Sequence, residues 1–204
     1  MADETFFNQV RQYDKMALNL LMSARVNGHI IMGANNPSTA VTNSEVIFEA
    51  IKKAGEKYDT QPIFLDPGCG YGVPLVLAAK AEYKTYGIDK ENTLINLTKT
   101  LTNHLKKQSI INGNIENLVC GDMFKDSTYC SLGVSFSEVD IFYLYALRGI
   151  HEKFISNFLE SAKSGAHLIN IPGFKSKKMK YLFQDNAELI HQGSKNKYQI
   201  YRKP

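Results

Sequence analysis

Cysteine is scarce in this sequence: Cys69, Cys120 and Cys130 are the three among 204 residues. Their odd number and lack of paired ligand spacing exclude a disulfide scaffold or a zinc ribbon and suggest reduced thiols in a cytosolic setting. No apolar run approaches the ~18 residues that a membrane span requires. The opening stretch MADETFFNQV is acidic and lacks the basic-then-apolar pattern of a secretory signal, so a soluble cytoplasmic protein is expected. Repeats, low-complexity tracts and Pro/Gly-rich linkers are missing too, which points to one domain over 1–204. Charge of neither sign dominates. The formal net charge is +4 and the pI about 8.8, far from the dense Lys/Arg footprint of a dedicated nucleic-acid binder.

What is present is alternation. Phe6, Val10, Tyr13, Ala17, Leu20, Leu21 and Ala24 recur at three- and four-residue steps and predict an amphipathic helix that Asn27-Gly28 would close. Gly33 to Thr39 reads as a loop. Thr42-Asn-Ser-Glu45 has capping-box spacing, with Val41 and Val46 placed as a hydrophobic staple, so a second helix is expected through Ile47, Ala50, Ile51 and Ala54. Residues 1–58 thus form an N-terminal helical segment, and 59–204 the remaining core. From Ile63 onward short apolar strands (Ile63–Leu65, Thr85–Ile88, Leu118–Cys120, Val139–Leu144, His167–Ile171) alternate with helices (Leu75–Lys84, Leu94–Leu105, His151–Lys163). That order argues for an α/β fold with a doubly wound, mostly parallel sheet. Glu188–His191 and Tyr198–Arg202 flank Gly193-Ser-Lys-Asn196 and predict a C-terminal antiparallel hairpin, for seven strands in all.

The sharpest chemical signal follows the first strand: Leu65-Asp66-Pro-Gly68-Cys-Gly70-Tyr-Gly72. Glycines at alternate positions let the backbone turn tightly and lie against a ligand without Cβ collisions. A dinucleotide fingerprint would need glycine at position 73, where Val73 stands. Asp66 would repel a pyrophosphate but suits a ligand carrying an ammonium and a sulfonium, as S-adenosylmethionine does. The plain alternative is a tight strand-to-helix turn. Asp89, in Tyr86-Gly-Ile-Asp89, ends the next strand. There a carboxylate accepts charge-assisted hydrogen bonds from ribose hydroxyls, or else simply caps a helix. Gly121-Asp122-Met123 ends the third strand, where the Asp122 carboxylate faces an adenine amino group and Met123 the ring; Gly-Asp is also an ordinary turn.

These stretches resemble the class I, seven-strand S-adenosylmethionine-dependent methyltransferases over about Pro37 to Arg202. Asn36-Pro-Ser-Thr39 with the Val46–Ala54 helix, and Asp140-Ile-Phe-Tyr-Leu-Tyr-Ala-Leu147 with Glu152-Lys153 and Lys163-Ser-Gly165, are similar to the small archaeal and mitochondrial protein-lysine methyltransferases. The resemblance implies S-adenosylmethionine as cofactor, held by Asp66, Gly68, Gly70, Gly72, Asp89, Lys90, Asp122 and Met123. It also implies a transfer site at the tip of the fourth strand. Tyr71 stands where that group usually carries an acid.

The fourth strand lacks the Asn/Asp-Pro-Pro-aromatic grip of base-flipping enzymes, reading Tyr145-Ala-Leu-Arg148 instead, and no cysteine follows a proline as cytosine-C5 chemistry needs. Asn170-Ile-Pro172 replaces the second carboxylate of metal-assisted enzymes, so no metal is expected. Tyr143 and Tyr145 alternate on the strand, one expected in the core and one beside an acceptor pocket. Phe142, Tyr143, Tyr145 and Tyr71 are candidate walls of a channel for a protein lysine. An RNA or small-molecule acceptor, or a non-catalytic cofactor-binding subunit, is the rival reading. Lys175 to Lys180 is either a solvated face or a guide for an acidic protein or RNA. His151 reads as structural.

Overall fold

The computed structural model describes residues 2–26, 44–111, 115–145, 148–171, 188–192 and 198–204. Helix α1 (Ala2–Val26) forms where the apolar stripe predicts it and buries Phe6, Val10, Tyr13 and Ala17. Helix α2 (Ser44–Gly55) buries Ile47, Ala50, Ile51 and Ala54 along one face. The Thr42 end of the capping box, Val41 of the staple, Asn27-Gly28 and the Gly33–Thr39 loop lie outside the described residues. Within α2, Glu45 of the first turn forms an ion pair with Arg11 and ties the two helices together.

Strands and helices then alternate as β1 (Ile63–Pro67), α3 (Val73–Lys80), β2 (Lys84–Asp89), α4 (Asn92–Lys107), β3 (Ile115–Cys120), α5 (Asp126–Leu132), β4 (Ile141–Leu144), α6 (Arg148–Ser161) and β5 (His167–Asn170). The chain ends in β6 (Glu188–Gln192) and β7 (Gln199–Arg202). The sheet runs β3-β2-β1-β4-β5-β7-β6. The pairs from β3 to β5 are parallel, and β7 is antiparallel to both β5 and β6. This is an α/β fold with a mostly parallel sheet closed by an antiparallel C-terminal pair. The hairpin's turn, Gly193–Asn196, falls outside the described residues, as do Pro172 and the Lys175–Lys180 cluster.

Boundaries moved where local structure overrode periodicity. Helix α3 ends at Lys80 rather than Lys84, because Glu82 adopts φ 65° and the Tyr83 hydroxyl is drawn to the Ile51 carbonyl, 3.1 Å away. Strand β4 begins two residues later than Val139, since a capping box between Ser135 and Glu138 first closes a 3-10 turn. Helix α5 was not expected at all. Its seven residues are too few to show a period, and Gly133 stops it at φ 81°.

Side chains leave the sheet to alternate faces. Phe64, Ile141, Tyr143, Ile169 and Ile200 pack with α1 to α4 on one side. Leu65, Phe142, Leu144, Leu168 and Tyr201 pack against α5 and α6 on the other. Phe142 is therefore not a channel wall, contrary to expectation. It is fully buried, with its ring centroid 4.6 Å from Phe136, 5.9 Å from Phe154 and 5.5 Å from Phe158. Burying such a ring stabilises the fold by about 1.5–3 kcal/mol. Successive strands run outward from β1 to β3, and the chain then crosses back to lay β4 on the other side of β1. At such a switch point the strand tips part and leave a ligand crevice.

Candidate active site at the strand tips

The glycine loop links β1 to α3 across this switch point. The amides of Gly68 and Cys69 both donate to the Ile88 carbonyl, at 2.7 and 2.9 Å, and stitch the loop to the tip of β2. Two glycines are required by geometry. Gly72 caps α3 in the left-handed region at φ 84°, and a Cβ there would lie 2.5 Å from Thr98 Cγ2. Gly70 sits at φ 54°, and a Cβ there would meet nothing within 4 Å, so its backbone faces open space. A side chain is excluded at Gly72 by φ and by its neighbours together, and at Gly70 by φ alone.

Asp66, Asp89 and Asp122 stand at three neighbouring strand tips. Asp89 organises the loop: Oδ2 accepts from the Gly70 amide at 2.9 Å and Oδ1 from the Glu91 amide at 2.9 Å. Each oxygen keeps a further lone pair for a ligand hydroxyl. Asp66 is only 4% exposed. Burial, then the Asp89 charge, pushes its carboxyl well above the usual carboxylate range. No hydrogen bond from a described residue offsets this. A buried acid without an internal partner is suited to a cationic ligand. Asp122 differs. The Phe124 amide donates to it at 3.1 Å and Lys90 Nζ lies 3.5 Å away, so its carboxyl is held below the ordinary value, first by that amide. Met123 is buried, and its Cε is 3.6 Å from where a Gly68 Cβ would stand, so the third tip abuts the loop. Lys90 is exposed and reaches Asp122.

Tyr143 and Tyr145 separate as alternation requires. Tyr143 is buried on β4, its ring centroid 6.5 Å from Phe64, and burial followed by the Asp66 charge raises its phenol well above normal. Tyr145 follows the strand and is 46% exposed. His151 is buried, its Nε2 2.7 Å from Asn170 Oδ1, and burial lowers its pKa.

Sequence reading missed the residues that hold the loop from outside. Tyr13 on α1 donates its hydroxyl to the Tyr71 carbonyl. The Tyr71 hydroxyl donates to Asp14 Oδ1 at 2.8 Å, and the Thr98 hydroxyl lies 2.9 Å from the Gly70 carbonyl. A signal existed for Asp14: it falls on the buried stripe of α1, where a carboxylate has no reason to be unless it has a task. Among the described residues, no group of three or more His, Cys, Asp or Glu could hold a metal ion, and no helix is long and apolar enough to cross a membrane.

No family model matches the sequence, and no curated relative does. Solved structures match the shape. Magnesium protoporphyrin IX methyltransferase from Synechocystis PCC 6803 with bound S-adenosylmethionine superposes with TM-score 0.56 at 13% identity, over 96% of this chain and 95% of that one. A protein from Listeria monocytogenes described as a class I S-adenosylmethionine-dependent methyltransferase gives 0.57 at 14%, over 100% and 70%. An RNA methyltransferase from Salinibacter ruber in complex with S-adenosyl-L-homocysteine gives 0.50 at 15%, over 76% and 89%. The fold is thus the Rossmann-like fold of class I methyltransferases.

Proposed function

We propose that this chain is an S-adenosylmethionine-dependent methyltransferase whose acceptor is a protein lysine. One observation carries the cofactor reading: the open glycine loop, buried Asp66 with no hydrogen bond from a described side chain, Asp89 and the Asp122–Met123 tip converge at the switch point of this fold. Asp66 and the loop would hold the ammonium end, Asp89 the ribose, and Asp122, Met123 and Lys90 the adenine side. When bound, the cofactor supplies an activated methyl on a good leaving group. The protein's own work is then alignment and water exclusion. A lysine acceptor must be neutral to react, and apolar or aromatic surroundings favour the neutral amine. Residues 1–58 are the helical segment beside the site and 59–204 the cofactor-binding core.

The structural neighbours named above act on acceptors as unlike as RNA and a porphyrin, so the lysine reading rests on this chain's fourth strand. Exposed Tyr145 and buried Tyr143 border its tip. The test is tritiated S-adenosylmethionine added to a lysate, with label followed separately into protein, RNA and small molecules. Label on protein lysines is expected, and Tyr145→Ala should slow transfer without changing cofactor affinity. Label only on RNA or a metabolite would replace the acceptor, and binding without any label would leave a cofactor-binding subunit.

A further inference from the structure

Residues 70–72 are the part of the glycine loop that its own backbone constrains least, since Gly70 and Gly72 stand in the left-handed region on either side of Tyr71. Ligand affinity falls in proportion to the time such a segment spends outside its binding conformation. Contacts from elsewhere in the fold must therefore hold it. Asp89 and Thr98 hold Gly70, at its amide and its carbonyl, 2.9 Å each. Tyr71 is held from α1 by two consecutive residues. Tyr13 donates to its carbonyl, and Asp14 Oδ1 accepts its hydroxyl at 2.8 Å. The Tyr13 hydroxyl also lies 3.4 Å from where a Gly72 Cβ would stand. Burial raises both phenols above their ordinary value, so each remains a donor.

Asp14 is a poor choice for the stability of α1. It is 1% exposed, and its Oδ2 has no hydrogen-bond partner among the described residues. Burial raises its carboxyl above the ordinary range, and the Tyr71 bond opposes that rise. A leucine on this buried stripe, between Val10 and Ala17, would strand no acceptor. What the carboxylate does is hold Tyr71.

We propose that Tyr13 and Asp14 are positioning residues for the cofactor: gripping Tyr71 at its carbonyl and its hydroxyl, they keep the backbone of 70–72 in the conformation that leaves the face of Gly70 open. This rests on the methyltransferase reading and extends its cofactor site to α1, a helix outside the α/β core. Both residues act through the loop, by raising the fraction of molecules ready to bind. Detaching α1 would release the cofactor with no change at the strand tips.

Calorimetry of S-adenosylhomocysteine binding to the full chain tests this, with urea unfolding of each variant alongside. Tyr71→Phe and Asp14→Leu should each weaken binding about tenfold, the loop being ready in about a tenth of the molecules. The double variant should be no weaker than either single one, because both changes cut the same bond. Asp14→Asn keeps an oxygen acceptor and should recover most of the affinity. Asp14→Leu should unfold at no lower urea than wild type, so affinity and stability part company, as a merely structural role does not allow. Arg11→Ala loosens α1 from Glu45 of α2 instead of from the loop, and should leave affinity unchanged. Wild-type affinity in Tyr71→Phe and Asp14→Leu would overturn the proposal. So would additive losses in the double variant, an affinity loss in Asp14→Leu that only mirrors a fall in stability, or an equal loss in Arg11→Ala. Failure of wild type to bind S-adenosylhomocysteine at all would instead remove the methyltransferase reading on which this one stands.

Discussion

The two edges of the sheet treat the same side chain in opposite ways. At the N-terminal edge, Asp140 precedes β4 and every part of it is matched. Oδ1 pairs with Lys163 Nζ at 2.7 Å, Oδ2 accepts from the Ile63 amide at 2.8 Å, and its carbonyl accepts from the Tyr58 hydroxyl at 2.8 Å. At the C-terminal edge, Asp66 near the end of β1 is buried, with another acid for its electrostatic neighbour and no cation among the described residues. The first arrangement is complete in itself, and the second is, on the proposed function, completed by a ligand. A buried carboxylate is informative about function only once its partners are known.

The comparison can be broken most severely at Gly70. Gly70→Val forces a β-branched residue into φ 54° and fills the open space above the loop. Binding of S-adenosylhomocysteine should vanish in a thermal-shift assay while circular dichroism reports an intact fold; retained binding would mean that the loop merely turns the chain. Next come the paired aspartates. Asp89→Ala removes charge-assisted hydrogen bonds worth about 1.5–3 kcal/mol, so calorimetry should show roughly a ten- to hundredfold loss of cofactor affinity. Asp140→Ala should leave that affinity alone and instead lower stability by about 2 kcal/mol in urea, since it strands the Ile63 amide and Lys163. If both variants affected binding equally, the distinction between the edges would collapse.

His167 sharpens the comparison from the closed edge. It is 1% exposed, neither ring nitrogen has a hydrogen-bond partner, and the Tyr58 ring stands edge-on at 5.3 Å. Burial first, then the Arg202 charge, lowers its pKa to about 4, with Asp140 opposing and Lys57 adding to the effect. The folded protein therefore keeps the ring neutral, while the unfolded chain takes up a proton near pH 6.5. Stability tied to this residue is complete above about 6.5 and is lost as pH falls from there towards 4. Urea midpoints should drop across that window more steeply for wild type than for His167→Gln, and parallel curves would refute the assignment. The smallest effect belongs to Lys90. Its side chain is 60% exposed and its ammonium 3.5 Å from Asp122, a surface pair worth at most about 1 kcal/mol. Lys90→Ala should thus weaken cofactor binding by no more than about fivefold in calorimetry.

Fold class and the three stretches proposed to hold the cofactor were legible because they rest on local rules. Strand–helix alternation, three glycines after a short apolar strand, and acids at successive strand ends each read within about ten residues of chain. Phe142 misled because three aromatics within four positions, Phe142, Tyr143 and Tyr145, looked like a channel wall until the pleat sent Phe142 and Tyr143 to opposite faces. Helix α5 was hidden by its brevity, and the early end of α3 by a single left-handed residue, Glu82.

The sequence by itself determined the α/β order, the positions of Asp66, Asp89 and Asp122 at strand ends, and the glycine spacing that lets a ligand approach. These follow from periodicity and backbone sterics, which act between near neighbours in the chain. Only the tertiary structure decided which acids are satisfied within the fold and which are not. Asp140 meets Lys163 and Ile63, while Asp14 meets Tyr71, 57 residues away, through one oxygen. Pairing of buried charge depends on what packing brings within hydrogen-bond distance, and no local pattern encodes it.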